Sequence, residues 1–406
     1  MTGLRSVVGR ALDVGQGALG ASAAPLFALA SARHRQRLQR ARHEPWAARG
    51  EDFLEHAERR DKFVYLARLS LTEGLLRPGP SAPAVDLEDA GPEMVFLGDA
   101  LAVRQLGPST FSHALCARLR RADAVCMNWE GVIGPRTEEI APLFTARGAR
   151  QLAAHARGEE DAGWCSSFDE RAARTLLGLG RHTVANLANN HSLDRGGQSF
   201  ATTTRWLRAH GATVTGGPGA VVFPLGAARI GLVAAGYGSN RAREPLPFLA
   251  LSELTDAWLA QTARELAHCT HKVAILHWGH EYEWLPSHEQ HTLLRRFAAH
   301  GFAAVVGHHP HVVQPHFRVG DTWASPSLGD FIGGDRTPFS RLGVALSLRF
   351  LPNGTVHGQP FGLAQTASWA SAAKVMLLAE APVFERTLAR CIARARRSPL
   401  FGEARS

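Results

Sequence analysis

The chain has 406 residues, 45% apolar and 20% charged, with a formal net charge of +9. Those proportions belong to a folded globular protein and exclude disordered and fibrous classes; the length admits one large domain with additions, or two domains. The basic excess is almost all arginine, lysine occurring only at Lys62, Lys272 and Lys374. Its densest cluster is Arg33, Arg35, Arg37, Arg40 and Arg42, without interleaved aromatic residues. A solvated helix face is therefore favoured over a nucleic-acid surface.

Five cysteines (Cys116, Cys126, Cys165, Cys269, Cys391) are widely spaced, odd in number and free of any CxxC pair. Neither a zinc ribbon nor a disulfide framework is indicated, and a reducing, cytoplasmic compartment fits; export or membrane association is the alternative. No apolar run approaches the roughly 20 residues that span a bilayer. The nearest, residues 18–30, carries Pro25 and follows Asp13, so a cleaved leader is the lesser reading.

In chain order, residues 1–80 carry helical periodicity (Phe53, Leu54, Ala57, then Phe63, Leu66, Leu69) and no recognisable chemistry. Residues 81–92 are rich in proline and small residues and read as a linker. A domain over 93–366 follows, then a helical, arginine-rich segment over 367–406. Within the domain, short apolar runs at 94–97, 124–127, 183–187, 273–276 and 303–306 alternate with helical patterns at 111–121, 168–179, 203–210 and 289–300. Alternation of this kind predicts an α/β sheet with at least partly parallel strands. Two further strands are expected over 212–236, returning β-structure over 322–332 and 343–350, and a hairpin at Asn353-Gly354.

Each of the five runs ends in a group competent to bind a cation. They end at Asp99, at Glu130, at Asn190 with His191, at His277, and at the triple-histidine turn His308, His309, His311. In open α/β sheets the ligand site lies beyond the carboxyl ends of the strands, so these groups are expected on one rim. Aspartate, glutamate, asparagine and histidine make a mixed oxygen and nitrogen shell, suited to Mn²⁺, Fe, Zn²⁺ or Co²⁺. About six ligands suffice for two divalent ions bridged by a carboxylate, which would acidify a bound water. Competing readings stand beside these: Asp99 as a turn or helix cap, Glu130 as a surface residue. His191 is read as a proton donor to a leaving group, oriented by Asp194, itself a helix cap on the other reading. His277 is favoured as a ligand over His280. His280, Glu281 and His308 are placed against the substrate, and Arg104 is placed on an anionic group, with a surface arginine as its alternative.

The segments GDALAVR (98–104), NWE (128–130), NLANNHSLDRG (186–196), HWGHEY (277–282), VVGHHPHVVQP (305–315) and SLGDF (327–331) resemble, in order and spacing, the motifs of CapA proteins of poly-γ-glutamate capsule biosynthesis. Their domain is similar to the calcineurin-like metallophosphoesterases. The resemblance implies a four-layer α/β/β/α sandwich, here with a helical N-terminal region and a helical C-terminal tail. It implies Asp99, Glu130, Asn190, His277, His309 and His311 as metal ligands, with His308 as a substitute for His309, and His191 as the acid. It also implies a metal-dependent hydrolase acting on a phosphoester or an amide or acyl bond of an anionic or γ-glutamyl substrate, in capsule-type or secondary-metabolite biosynthesis, with biosynthetic partner proteins. A non-catalytic accessory protein of a polyglutamate synthase, binding the polyanion, is the alternative. Three positions depart from the pattern: Ala100-Leu101 follow Asp99 where metallophosphoesterases have DxH, Glu130 stands for an aspartate, and Asp330 for an asparagine.

Overall fold

Two β-sheets lie face to face in the computed structural model, which describes residues 91–102, 106–134, 166–240, 244–281, 283, 286–333, 340–365 and 374–380. In chain order the strands are β1 (Glu93–Leu101), β2 (Ala124–Glu130), β3 (Val132–Ile133), β4 (Ser167–Phe168), β5 (Thr183–Asn186), β6 (Thr213–Thr215), β7 (Val221–Leu225), β8 (Ala228–Gly236), β9 (Leu249–Ala250), β10 (His271–His277), β11 (Ala304–His308), β12 (Phe317–Val319), β13 (Thr322–Ser325), β14 (Asp330–Ile332), β15 (Leu342–Phe350), β16 (Val356–Gln365) and β17 (Val375–Leu377). The larger sheet runs β17-β16-β15-β1-β2-β5-β6, with β14 beside β1; the other runs β12-β13-β11-β10-β8-β7, with β9 beside β8. β1, β2, β5 and β6 are mutually parallel, as are β8, β10, β11 and β13.

The helices are α1 (His113–Arg121), α2 (Glu170–Leu177), α3 (Gly197–Ala209), α4 (Asp256–Glu265) and α5 (His288–Ala299). Side chains of Ser112, Asp169, Thr255 and Ser287 accept a backbone N–H at the starts of α1, α2, α4 and α5. Each satisfies a donor that the first turn leaves without a partner.

Alternation along the strands separates three cores. Met94 and Phe96 of β1 pack between the sheets with Ile230, Leu232, Val273 and Ile275. Val95 and Leu97 face the other way, onto Leu115 and Leu119 of α1 and Leu176 of α2. Ala274 and Leu276 of β10 meet Leu294 and Phe297 of α5. Strands buried on both faces read in sequence as unbroken apolar runs. The layering is helix, sheet, sheet, helix, the four-layer sandwich that was expected.

Three local expectations are corrected. Residues 375–377 lie in the segment expected to be helical, yet they pair with β16 as β17. Residues 212–236 hold three strands, not two, and α4 was not foreseen. The expected helical region 1–80, the linker up to residue 90 and the tail beyond 380 lie outside the described residues.

Candidate metal centre

The parallel strands deliver their last residues to one place. Asp99 of β1 is in register with Asn128 of β2, and Asn128 with Asn186 of β5. In the second sheet Gly236 is in register with His277, and His277 with His308. Two glycines make the approach close enough. A Cβ at Gly98 would stand 1.9 Å from the Gly329 oxygen, and one at Gly307 1.9 Å from the Pro326 oxygen and 2.3 Å from Trp278 Nε1. After Gly307 the chain turns through His309 (φ 94°) and His311 (φ 54°), left-handed conformations rare for residues with a Cβ.

Asp99 is fully buried. Its Oδ1 accepts from Asn128 Nδ2 (2.7 Å) and its Oδ2 from the His309 N–H (3.0 Å), so it caps no helix. His308 Nδ1 is 3.2 Å from Oδ1 and His311 Nδ1 3.3 Å from Oδ2. Burial opposes the charge of Asp99, yet hydrogen bonds and charge from His308 and His311 hold its carboxyl well below the usual range.

Glu130 is likewise fully buried, not a surface residue. Neither carboxylate oxygen has a hydrogen-bond partner. Instead the Nε2 atoms of His277, His191 and His311 surround Oε1 at 3.7, 3.9 and 4.0 Å. Burial, reinforced by the Asp99 charge, pushes the Glu130 carboxyl up to about 8. Burial first, then the neighbouring imidazoles, hold His277 and His309 well below the ordinary histidine range. His311 goes the other way: burial disfavours its cation, but the carboxylates of Asp330 and Glu130 outweigh it and raise the pKa well above normal.

Two buried groups can each hold an ion, with ligand atoms all within 4.8 Å of one another: Glu130, His277 and His309; and Asp99, His311 and Asp330. Two donors each about 2.1 Å from one cation stand roughly 3–4 Å apart, as do Glu130 Oε1 and His277 Nε2 at 3.7 Å and Asp99 Oδ2 and His311 Nδ1 at 3.3 Å. Asn190 Oδ1 lies 2.8 Å from His277 Nε2, at the edge of the first group. His309 Nδ1 has no hydrogen-bond partner. Buried polar atoms are nearly always satisfied, and a carboxylate with both oxygens bare among imidazoles is the expected mark of a site that takes a cation.

His191 Nδ1 is 2.7 Å from Asp194 Oδ2, which also accepts the Ser166 N–H at 2.5 Å. The following helix is capped by Gly196, not by Asp194. Glu281 is buried, with Oε1 3.7 Å from His311 Nε2, and His280 is half-buried beside it. His308 lies buried against Asp99. Arg104 lies outside the described residues.

Four residues were missed by the sequence reading as parts of the site. Asn128 reaches both Asp99 and, at 3.2 Å, His277 Nδ1. Asn240 accepts from Asn190 Nδ2 (3.1 Å) and approaches His191 Nδ1 (3.4 Å). Tyr237 packs its ring on His277 and His309 at 5.9 and 4.7 Å between centroids. Asp330 stands in the sequence as a departure from a family pattern, with nothing to mark it as a ligand.

An α/β/β/α sandwich with buried carboxylates and imidazoles gathered at the carboxyl ends of both sheets defines a class of protein with a rim fit to hold divalent cations. Residues 93–335, more than half of the chain, match the family described as bacterial capsule synthesis protein PGA_cap, and the chain belongs to that family. The PGA biosynthesis protein CapA of Bacillus subtilis (strain 168) is 25% identical over 201 residues, 43% of this chain and 48% of that protein. The chain thus matches about half the length of that curated relative. Among solved structures, the sulfate thiohydrolase SoxB of Thermus thermophilus, in complex with glycerol, aligns over 77% of this chain and 62% of its own at 14% identity, with a TM-score of 0.35. Among the described residues no helix is long and apolar enough to cross a membrane.

Proposed function

We propose that the chain is a CapA-like, metal-dependent hydrolase serving capsule or poly-γ-glutamate biosynthesis, cleaving a phosphoester or a γ-glutamyl amide or acyl bond. One observation carries the reading: the Glu130 carboxylate, wholly buried, has no hydrogen-bond partner and stands amid three imidazole nitrogens. Leaving such a group unpaired costs several kcal/mol unless a cation completes it. Asp99, His311 and Asp330 on one side, and His277, His309 and Asn190 on the other, would hold two cations with Glu130 between them.

Divalent cations bound there supply Lewis acidity and make a water nucleophilic at neutral pH. The protein's own part is proton handling and orientation. With Nδ1–H donated to Asp194, His191 turns Nε2 toward Glu130 and the centre, where it holds the proton that a leaving group takes. The Asn128 amide nitrogen donates to Asp99 Oδ1 and lies 3.2 Å from His277 Nδ1, which fixes the carboxylate and the ring together. Glu281 and His280, at the rim, contact the substrate, and Arg104 steadies its anionic group.

The test uses full-length protein purified without a histidine tag, assayed for metal content and for cleavage of p-nitrophenyl phosphate and a γ-glutamyl amide. The expected result is two divalent cations per chain and cleavage of one of the two substrates. His191→Ala should lower kcat by roughly 10²–10⁴-fold with cation content unchanged. Wild-type protein that holds no cation and cleaves neither substrate overturns the reading in favour of the accessory, polyanion-binding role.

A further inference from the structure

The two halves of the centre are not built alike. The Glu130–His277–His309 group offers two imidazoles beside its one carboxylate, and the Asn190 amide oxygen lies next to it. The Asp99–His311–Asp330 group offers two carboxylates and one imidazole.

The second arrangement is forced by the backbone. β14 runs parallel to β1 with Asp330 in register with Asp99, and the Asp99 N–H donates to the Gly329 oxygen at 3.0 Å. Only a glycine at position 98 lets the two segments approach this closely. The result sets two carboxylates side by side, Asp99 fully and Asp330 almost fully buried. Such a pair repels itself and is costly without a cation between its members. The His311 ring fills that gap, its Nδ1 2.7 Å from Asp330 and 3.3 Å from Asp99. Glu130, whose oxygens are bare, faces both halves.

We infer that Asp330 makes the Asp99–His311 half the seat of an oxygen-preferring cation of the Mn²⁺ class, while the His277–His309 half takes an imidazole-preferring cation of the Zn²⁺ class. Carboxylates favour manganese-like ions and imidazoles zinc-like ones, and at sites of equal affinity order zinc would otherwise win both. The inference rests on the cation-binding reading above and adds to it a division of labour that a symmetric centre would lack.

Chelator-stripped full-length protein is loaded with one equivalent of Zn²⁺ and then titrated with Mn²⁺. Bound manganese is read from the loss of the aqueous Mn²⁺ electron paramagnetic resonance signal, and both metals by elemental analysis. Wild-type protein should take one Mn²⁺ beside one Zn²⁺. Asp330→Asn, of the same shape, should weaken Mn²⁺ at least tenfold and leave Zn²⁺ within about threefold, while His277→Ala should do the reverse; thermal melts certify that both variants are folded. Mn²⁺ binding that Asp330→Asn leaves intact, or weakens together with Zn²⁺, overturns the inference. Wild-type protein holding two equivalent zinc ions overturns it too but spares the functional reading, whereas protein that binds neither metal overturns both.

Discussion

At the scale of single residues, Glu130 sets how the centre responds to pH. Its carboxyl, pushed up to about 8 by burial and by Asp99, carries a proton at neutral pH when no cation is bound. His311, held charged chiefly by the Asp330 carboxylate, carries another. A cation must displace both. Affinity for Zn²⁺ or Mn²⁺ should therefore rise with pH between 6.5 and 8, by about tenfold per unit for each proton released, and rise less steeply once Glu130 ionises unaided. Calorimetry in buffers of different ionisation enthalpy would count one to two protons released; an affinity flat over that range would refute the assignment. The residues in this balance were legible in the sequence to different degrees. Asp99, Glu130 and His277 each end an apolar run, so the strand-end rule found them. Asn128, Asn240 and Tyr237 were not legible, because their meaning lies in partners 29 to 149 residues away, such as Asp99 and His277 for Asn128. Asp330 reads in sequence as one more turn aspartate; only the pairing of β14 with β1 places it beside Asp99.

Among the elements, the end of β11 carries the most constraint. His309 and His311 hold positive φ, each at a cost of about 1–3 kcal/mol that the surrounding packing must impose. Gly307 makes that possible by letting the strand close onto Pro326 and onto Trp278, whose indole N–H donates to the Pro326 oxygen at 2.8 Å. Gly307→Ala should destabilise the protein by about 3 kcal/mol, since its methyl would meet backbone and ring atoms with nowhere to go. It should also cut cation affinity at the His309 half more than at the Asp330 half. Denaturant melts and metal titration of the same sample check both; a variant as stable as wild type would show that the close approach is dispensable. The strands that build this region were visible because both of their faces are buried. β17 was not, because the residues around Val375–Leu377 include good helix formers, and pairing with β16 overrode that local preference. α4 escaped notice because its buried stripe is narrow, Leu259 and Thr262, although Thr255 caps it as a helix start should be capped.

Over the whole molecule, the centre joins the two sheets through polar groups where most of their contact is apolar packing. Asp99, Glu130 and Asp330 belong to the larger sheet, His277 and His308 to the other. The layered core was readable from alternating strands and helices, but which strand ends share a rim follows from sheet order, with its crossovers, and not from spacing along the chain. A cation held from both sides should tie the sheets, so its removal should lower the melting temperature, by an amount that depends on pH. The sign follows from four of the five perturbed groups at the centre, Asp99 titrating far below this range. His277 and His309, with lowered pKa values, contribute stability that is complete above about 6.5 and lost as pH falls below it. Glu130 and His311, with raised values, bind protons more tightly in the folded chain than in the unfolded one, so metal-free protein loses stability as pH climbs toward 8. Between pH 6.5 and 8 only the second pair is changing. Glu130 alone would cost the metal-free protein up to about 2 kcal/mol over that interval, or roughly 4–8 °C in melting temperature. Metal-loaded protein has already surrendered those protons and should melt almost independently of pH there. The gap between loaded and chelator-treated melts should therefore widen from pH 6.5 to 8. If the gap stayed constant or narrowed, Glu130 would not be the proton-carrying carboxyl that the burial of both its oxygens makes it.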